Sequence, residues 1–284
     1  MSLSAQAMFT FAPPNNFNLL DDPNKPGNIT EQQFNTIVNS IVAIWQPIAK
    51  AHGAVLTADA NWKDSTVNAY AEEKGNSWMV HFFGGLARRP EITPDGFALV
   101  VCHELGHHFG GYYFYGDKEW AAAEGQADYF ATQMCGRHIF ANLQNNIRFL
   151  TPNAPEPVKE NCTAVWGKDP KAVAECARIS AASLSLATLL AKLGNSPAPH
   201  FETPDKSQVS QTNVAHPAAQ CRLDTYFAGA LCSVTLPPDQ TPGRGNPAGN
   251  NSKDSEAQAY KFSCAQNAFK VGFRPRCWFK PQLF

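Results

Sequence analysis

Phe97-Ala98-Leu99-Val100-Val101-Cys102-His103-Glu104-Leu105-Gly106-His107 is the stretch on which the reading of this chain turns. Thr93 before it can cap a helix, Pro94 suits the first helical position, and Gly110-Gly111 ends the run. On a helix, histidines four apart stand on one face and can reach a single ion. Glu104 lies next to that face, placed to take a proton from an activated water and pass it on. The apolar residues from Phe97 to Cys102 carry the motif into a core, where an unpartnered His-Glu-His cluster would be costly to desolvate. A surface helix can hold the same letters by coincidence, and it is this apolar context that argues against that reading.

A catalytic zinc takes three protein ligands and keeps a fourth position for water. A third histidine at position 113 would complete one known spacing, but Tyr113 stands there. The expected third ligand is therefore Glu124, on a second predicted helix from near Asp117 to Cys135, with Glu119 as the fallback. Asp128 follows Glu124 by one turn on the same face, where it can accept the free ring N–H of a ligating histidine; its plainer reading is a surface acid. Cys102 adjoins the first ligand but points about 100° away from it on a helix, so it reads as buried or bridged.

Outward from this centre, Thr30 and Gln33 form a capping box, and Phe34, Ile37, Val38, Ile41, Trp45 and Ile48 continue at helical spacing to about Ala51. Strand-like segments follow at Val55 to Trp62, Val67 to Ala71 and Trp78 to Phe83, with Lys74-Gly75-Asn76 as a turn. The last of these is expected at a sheet edge, where an extended peptide can add as a further strand. His81 within it reads as packing, and Tyr112 to Tyr115 as an aromatic loop that lines a pocket or packs beneath it. A third long helix is predicted from Pro170 to Leu193. The division is an extended Pro- and Asn-rich arm over 1–28 without a functional role, a catalytic domain over 29–235, and a Pro/Gly-rich loop with a cysteine-bearing tail over 236–284.

With 284 residues and 44% hydrophobic content the chain can bury a sizeable core. Its 23 basic and 24 acidic residues leave a charge of -1, which gathers neither nucleic acid nor an anionic membrane. No uninterrupted apolar run reaches the length of a membrane span, and the best, Ile179 to Leu193, is dotted with serines. Eight cysteines point to export, periplasmic or secreted. Ala5-Gln6-Ala7 fits the pattern before a signal-peptidase cut, without an apolar segment ahead of it. Cys162 and Cys176 are the easiest pair to form, whereas Cys221 and Cys232 on one continuous helix would stand about 16 Å apart and must bond elsewhere.

In order along the chain, Asn68-Ala69-Tyr70-Ala71, the strand Trp78 to Phe83 closing on Gly84-Gly85-Leu86, the His-Glu-x-x-His helix, Glu124-x-x-x-Asp128 and Ala215-His216-Pro217 with Arg222 resemble the gluzincin endopeptidases of the HtpX and CAAX-prenyl-protease type. The likeness covers about half the chain, from Asn68 to Arg222, and the membrane spans of those enzymes are missing. It implies an α+β, zincin-like fold, mostly helical with a small mixed sheet, and a zinc-dependent endopeptidase with one Zn2+ held by His103, His107 and Glu124. It further implies that Glu104 is the general base, that His216 steadies the oxyanion, and that Arg222 orients His216 or the scissile carbonyl. The plainer alternatives are a loop or capping residue for His216 and a surface cation for Arg222. Two rival functions remain: a silent or occluded zincin-like binding module, and a zinc hydrolase acting on a non-peptide amide or ester.

Overall fold

The computed structural model describes residues 9–22, 27–116, 120–141, 154–240, 251–264 and 269–282. Helix α1 (Glu31–Ala51) starts on the Thr30 capping box, the Thr30 hydroxyl accepting from Gln33 N while the Gln33 side chain accepts from Thr30 N. Its apolar stripe, Phe34, Val38, Ile41, Val42, Trp45 and Ile48, is buried. Trp45 reaches the rings of Phe109 and Phe130 at 4.9 and 5.3 Å, tying α1 to both helices that carry the site. Cutting such a side chain to alanine costs about 3–5 kcal/mol.

The sheet is small and mixed. Its strands are β1 (Phe9–Thr10), β2 (Val55–Asn61), β3 (Ala69–Lys74) and β4 (Ser77–Phe83), in spatial order β1-β3-β4-β2. β2 runs parallel to β4, β3 is antiparallel to β4, and β1 is antiparallel to β3 with Phe9 opposite Ala71 and Thr10 opposite Tyr70. Trp78, Val80 and Phe82 alternate inward along β4, as a half-buried strand requires. Two expectations are corrected here. β4 lies inside the sheet with both edges paired, so no peptide can add to it. The edge strand toward the site is β3, and the N-terminal arm already occupies that edge. The arm continues beside residues 65–67, where Leu19 N donates to Ser65 O and Val67 N to Phe17 O.

A short helix, α2 (Gly84–Ala87), leads to α3 (Pro94–Phe109), whose N-terminus is held by the Thr93 hydroxyl accepting from Gly96 N. Every residue from Gly96 to Phe109 is buried, so α3 is a central helix rather than an amphipathic surface one. α4 (Glu124–Phe130) runs on through a π-helical segment, Ala131–Gly136, into α5 (Arg137–Ala141). The predicted helix from Asp117 thus begins later, at Glu124. Among the described residues before it, Phe114 and Ala122 form an antiparallel bridge, and Ala122 N and Ala123 N donate to His107 O and Tyr113 O.

The remaining helices are α6 (Glu156–Trp166), α7 (Pro170–Leu193), α8 (Ala219–Leu231) and α9 (Lys253–Ala259). α7 packs against α3, α6 and α8. At 24 residues it is long and apolar enough, by length and composition alone, to cross a bilayer, which the sequence reading did not expect of any segment. Arg178 on α7 makes a two-bond pair with Asp95 on α3, and Ser180 and Ser183 bond carbonyls one turn back.

All eight cysteines are paired: Cys102–Cys135, Cys162–Cys176, Cys221–Cys277 and Cys232–Cys264. Four such bridges suit an oxidising environment. Cys221 and Cys232 sit at the two ends of α8 and, as its length demands, bond to different partners. Both partners lie in the C-terminal tail, which the bridges fasten to α8. Trp278 of that tail is fully buried against Gly125, where a Cβ would come within 2.3 Å of the indole.

Candidate metal centre

Two helices and a bridge deliver the site. His103 and His107 stand one turn apart on α3 with their ring centroids 4.9 Å apart. Gly106 between them lets α4 come in close: a Cβ there would lie 2.9 Å from both Cα and O of Ala127. With α4 pressed to α3, Glu124 on its first turn reaches the imidazoles. Its carboxylate oxygens lie 3.3 Å from His103 Nε2 and 3.8 Å from His107 Nε2. One ligating atom from each of His103, His107 and Glu124 falls within 4.8 Å of the others, a spacing that can hold a metal ion. Asp205, Cys221 and Cys277 come equally close, but those two sulfurs are bonded to each other and cannot ligate.

The hydrogen bonds around the rings fix which nitrogen is left free to ligate. His107 Nδ1 lies 2.9 Å from Ala122 O, and a carbonyl can only accept, so Nδ1 carries the proton. His103 Nδ1 lies 2.8 Å from Asp128 Oδ1, which sets the same tautomer. With both rings neutral, the two Nε2 atoms are therefore left as lone-pair donors. Neither has a hydrogen-bond partner, although both are buried, and the same holds for Glu124 Oε2 and both Glu104 oxygens. His103 Nε2 and Glu124 Oε2 lie 3.3 Å apart, a contact that pairs them when His103 is protonated. Buried polar atoms left open in this way are expensive, and a cation among them would satisfy the set.

No family model, no curated protein and no solved structure matches this chain. The site is therefore read from its own chemistry.

Electrostatics favour a cation at the same place. Burial would raise Asp128, but Arg222 and His103 outweigh it and hold its carboxyl well below the ordinary range. Burial would likewise raise Glu124, yet His107, His103 and His216 around it bring it down to about 2. Burial would lower His103, but Asp128 pulls it up to about 9, so without a metal this ring takes up a proton as the available cation. His107 is pushed by burial down to about 4 and stays neutral, the form that ligates. Burial also drives Glu104 well above its usual value, opposed by His103 and reinforced by Glu124.

The remaining predicted residues converge on the same place. Arg222 is buried and makes a bidentate pair with Asp128, Nε to Oδ2 at 2.7 Å and Nη2 to Oδ1 at 2.6 Å. Neither is a surface charge. His216 Nε2 is 3.6 Å from Glu124 Oε1 and 2.6 Å from Thr10 O. Glu119 lies outside the described residues. Those the sequence reading missed belong to the arm. Phe9 packs on the His107 ring at 5.3 Å, Phe11 packs edge-on to His103 at 5.5 Å, and Phe11 O accepts from Arg222 Nη1. Two isolated phenylalanines among prolines and asparagines have no period to announce them.

Proposed function

We propose that this chain is a zinc-dependent endopeptidase of zincin-like fold. The observation that carries the reading is the set of three buried, converging donors with an unpaired carboxylate, Glu104, beside them. Three protein ligands leave room for a water, whereas a structural site is closed by four. A carboxylate that ligates nothing and bonds nothing inside a core has no structural reason to be there.

A zinc ion held by His103, His107 and Glu124 would supply Lewis acidity toward water and a carbonyl oxygen. Glu104 takes the proton of the attacking water and returns it to the leaving amine. A bound cation also counters the burial that raises Glu104, which favours the ionised, basic form. His216 presents Nε2–H to the oxygen that gains negative charge. Asp128 keeps His103 in its ligating tautomer, and Arg222 keeps Asp128 ionised and fixed.

The test is zinc stoichiometry with proteolysis of casein, on the wild type and on Glu104→Gln. The expected result is one zinc per chain in both and cleavage by the wild type alone. Equal cleavage by both would remove Glu104 from its role, and a chain that takes up no zinc would end the reading. A second reading, a metal-holding module without turnover, is favoured by one observation: the cluster is no more than 4% exposed, so no substrate reaches it in this conformation.

A further inference from the structure

The N-terminal arm packs directly on the buried cluster, and the way it lies there is specific. β1 adds to the open edge of β3 in antiparallel register, and Phe11 N donates to Ala69 O at 3.0 Å. The Thr10 carbonyl takes the Nε2 of His216 and the Phe11 carbonyl takes Arg222. The two aromatic rings flank that first carbonyl, Phe9 against His107, Tyr115 and Trp120, Phe11 against His103. Asn68 then clamps the next residue, its Oδ1 accepting from Ala12 N and its Nδ2 donating to Ala12 O. An edge strand needed only for packing has no reason to spend its carbonyls on His216 and Arg222 or its rings on both imidazoles.

We propose that residues Phe9 to Ala12 are a built-in occupant of the substrate cleft, seated where an extended peptide with aromatic side chains would bind antiparallel to β3. The inference rests on the endopeptidase reading and names its substrate class: an unfolded segment whose reacting carbonyl is flanked by aromatic residues. Every contact the arm makes there is a backbone or ring contact that an incoming peptide can replace like for like. The pairing is also short. β1 has two residues, and Pro13 and Pro14 directly after Ala12 have no N–H to extend the ladder. Displacement of the arm opens the centre, and the fraction of time it is displaced sets the apparent affinity for substrate.

The experiment uses three full-length, zinc-loaded chains: wild type, a release variant with Phe9→Ala and Phe11→Ala, and a locked variant with Thr10→Cys and Tyr70→Cys, two positions opposed in the register. Casein turnover is measured on each. A fluorescein-labelled peptide of residues Gln6 to Pro14 is titrated onto the metal-free forms by anisotropy. The release variant is expected to turn over about tenfold faster than wild type and the locked one about tenfold slower. The peptide is expected to bind the release variant at 1:1 and not the locked one. Equal turnover in all three chains, with no peptide bound by the release variant, overturns the inference and leaves the endopeptidase reading standing. Peptide binding to the release variant but not the locked one, with no turnover by any chain, supports the occupied cleft and sinks the catalysis instead. Should the release variant not fold, the locked chain decides. Turnover and peptide binding below wild type support the inference, and equality in both overturns it.

Discussion

His103 Nδ1 lies 2.8 Å from Asp128 Oδ1, with both side chains wholly buried. The same oxygen lies 2.6 Å from Arg222 Nη2, so one carboxylate orients the ring and is itself held by a guanidinium. Arg222 donates further to Tyr226 Oη at 3.0 Å and to Phe11 O. A chain of contacts thus runs from α8 through α4 to the histidine face of α3 and on to the arm. Arg222 sits on α8, whose two ends are stapled to the tail, so the tail bears indirectly on the geometry of the centre.

Asp128→Asn should weaken metal binding and the fold together. An amide can turn its NH2 toward Nδ1 and favour the wrong tautomer, a change that costs about 10–100-fold in affinity. Arg222 is left buried without its counter-charge, which costs on the order of 3 kcal/mol. Chelator competition reads the first and urea unfolding the second. Unchanged zinc affinity would show that Asp128 serves the fold alone.

Zinc should stabilise the chain well beyond any surface effect. Without it the centre keeps its positive charge only as a proton on His103, and His107 Nε2 stays buried and unsatisfied, so the native state binds the ion and the unfolded chain, its cysteines locked in bridges, does so poorly. At a thousandfold excess over the dissociation constant the gain is about 4 kcal/mol. Thermal melts with zinc and with a chelator should differ accordingly, and His107→Ala should abolish the difference. Equal melts in wild type would show that the cluster binds no zinc.

Gly106→Ala sets two effects of opposite sign against each other. Alanine is the better helix former by about 1 kcal/mol. The new Cβ would meet the Ala127 backbone at 2.9 Å, and a backbone cannot swing aside as a side chain can. Overpacking costs about 1–3 kcal/mol and pushes α4, with Glu124 at its start, away from the histidines. The variant should melt lower and bind zinc more weakly. A higher melting temperature would show that α3 and α4 have slack at this crossing.

What the sequence made legible was periodic or locally capped. α1 and α7 carry caps and apolar stripes, and β4 alternates cleanly, so their spans were close to those predicted. His103, Glu104 and His107 followed from one helix, and Glu124 with Asp128 from one turn of another. Hidden were contacts between residues far apart in sequence with no local pattern. Phe9 and Phe11 meet the centre from a strand of two residues and the position just after it, Asn68 clamps the arm from 56 positions away, and Trp278 packs beneath Gly125 from the far end of the chain. The place of β4 in the sheet was also missed, because alternation reports which faces are buried and says nothing of which edge is paired.

Glu175 gives a pH dependence separate from the centre. It lies on α7 and, with Arg137 and Trp166, lines a cavity of about 520 Å³. Burial raises its carboxyl from 4.5 to about 7, and Arg137 opposes this without reversing it. Arg137 is already spent on the Gly229 and Ala230 carbonyls and lies over the Trp166 ring at 4.4 Å. The native state therefore keeps a proton that the unfolded chain gives up between pH 4.5 and 7. Stability contributed by the neutral acid is present in full below that window and is lost as pH rises through it. Allowing for solvent at the cavity mouth, the loss is at most about 2 kcal/mol. Urea midpoints taken at steps from pH 5 to pH 8 should fall in the wild type and fall less in Glu175→Gln, which stays neutral throughout, so that the variant is the more stable chain at pH 8. Parallel curves for the two would mean that Glu175 is already ionised in the fold at pH 5 and that Arg137 holds it more firmly than its bonds to α8 allow.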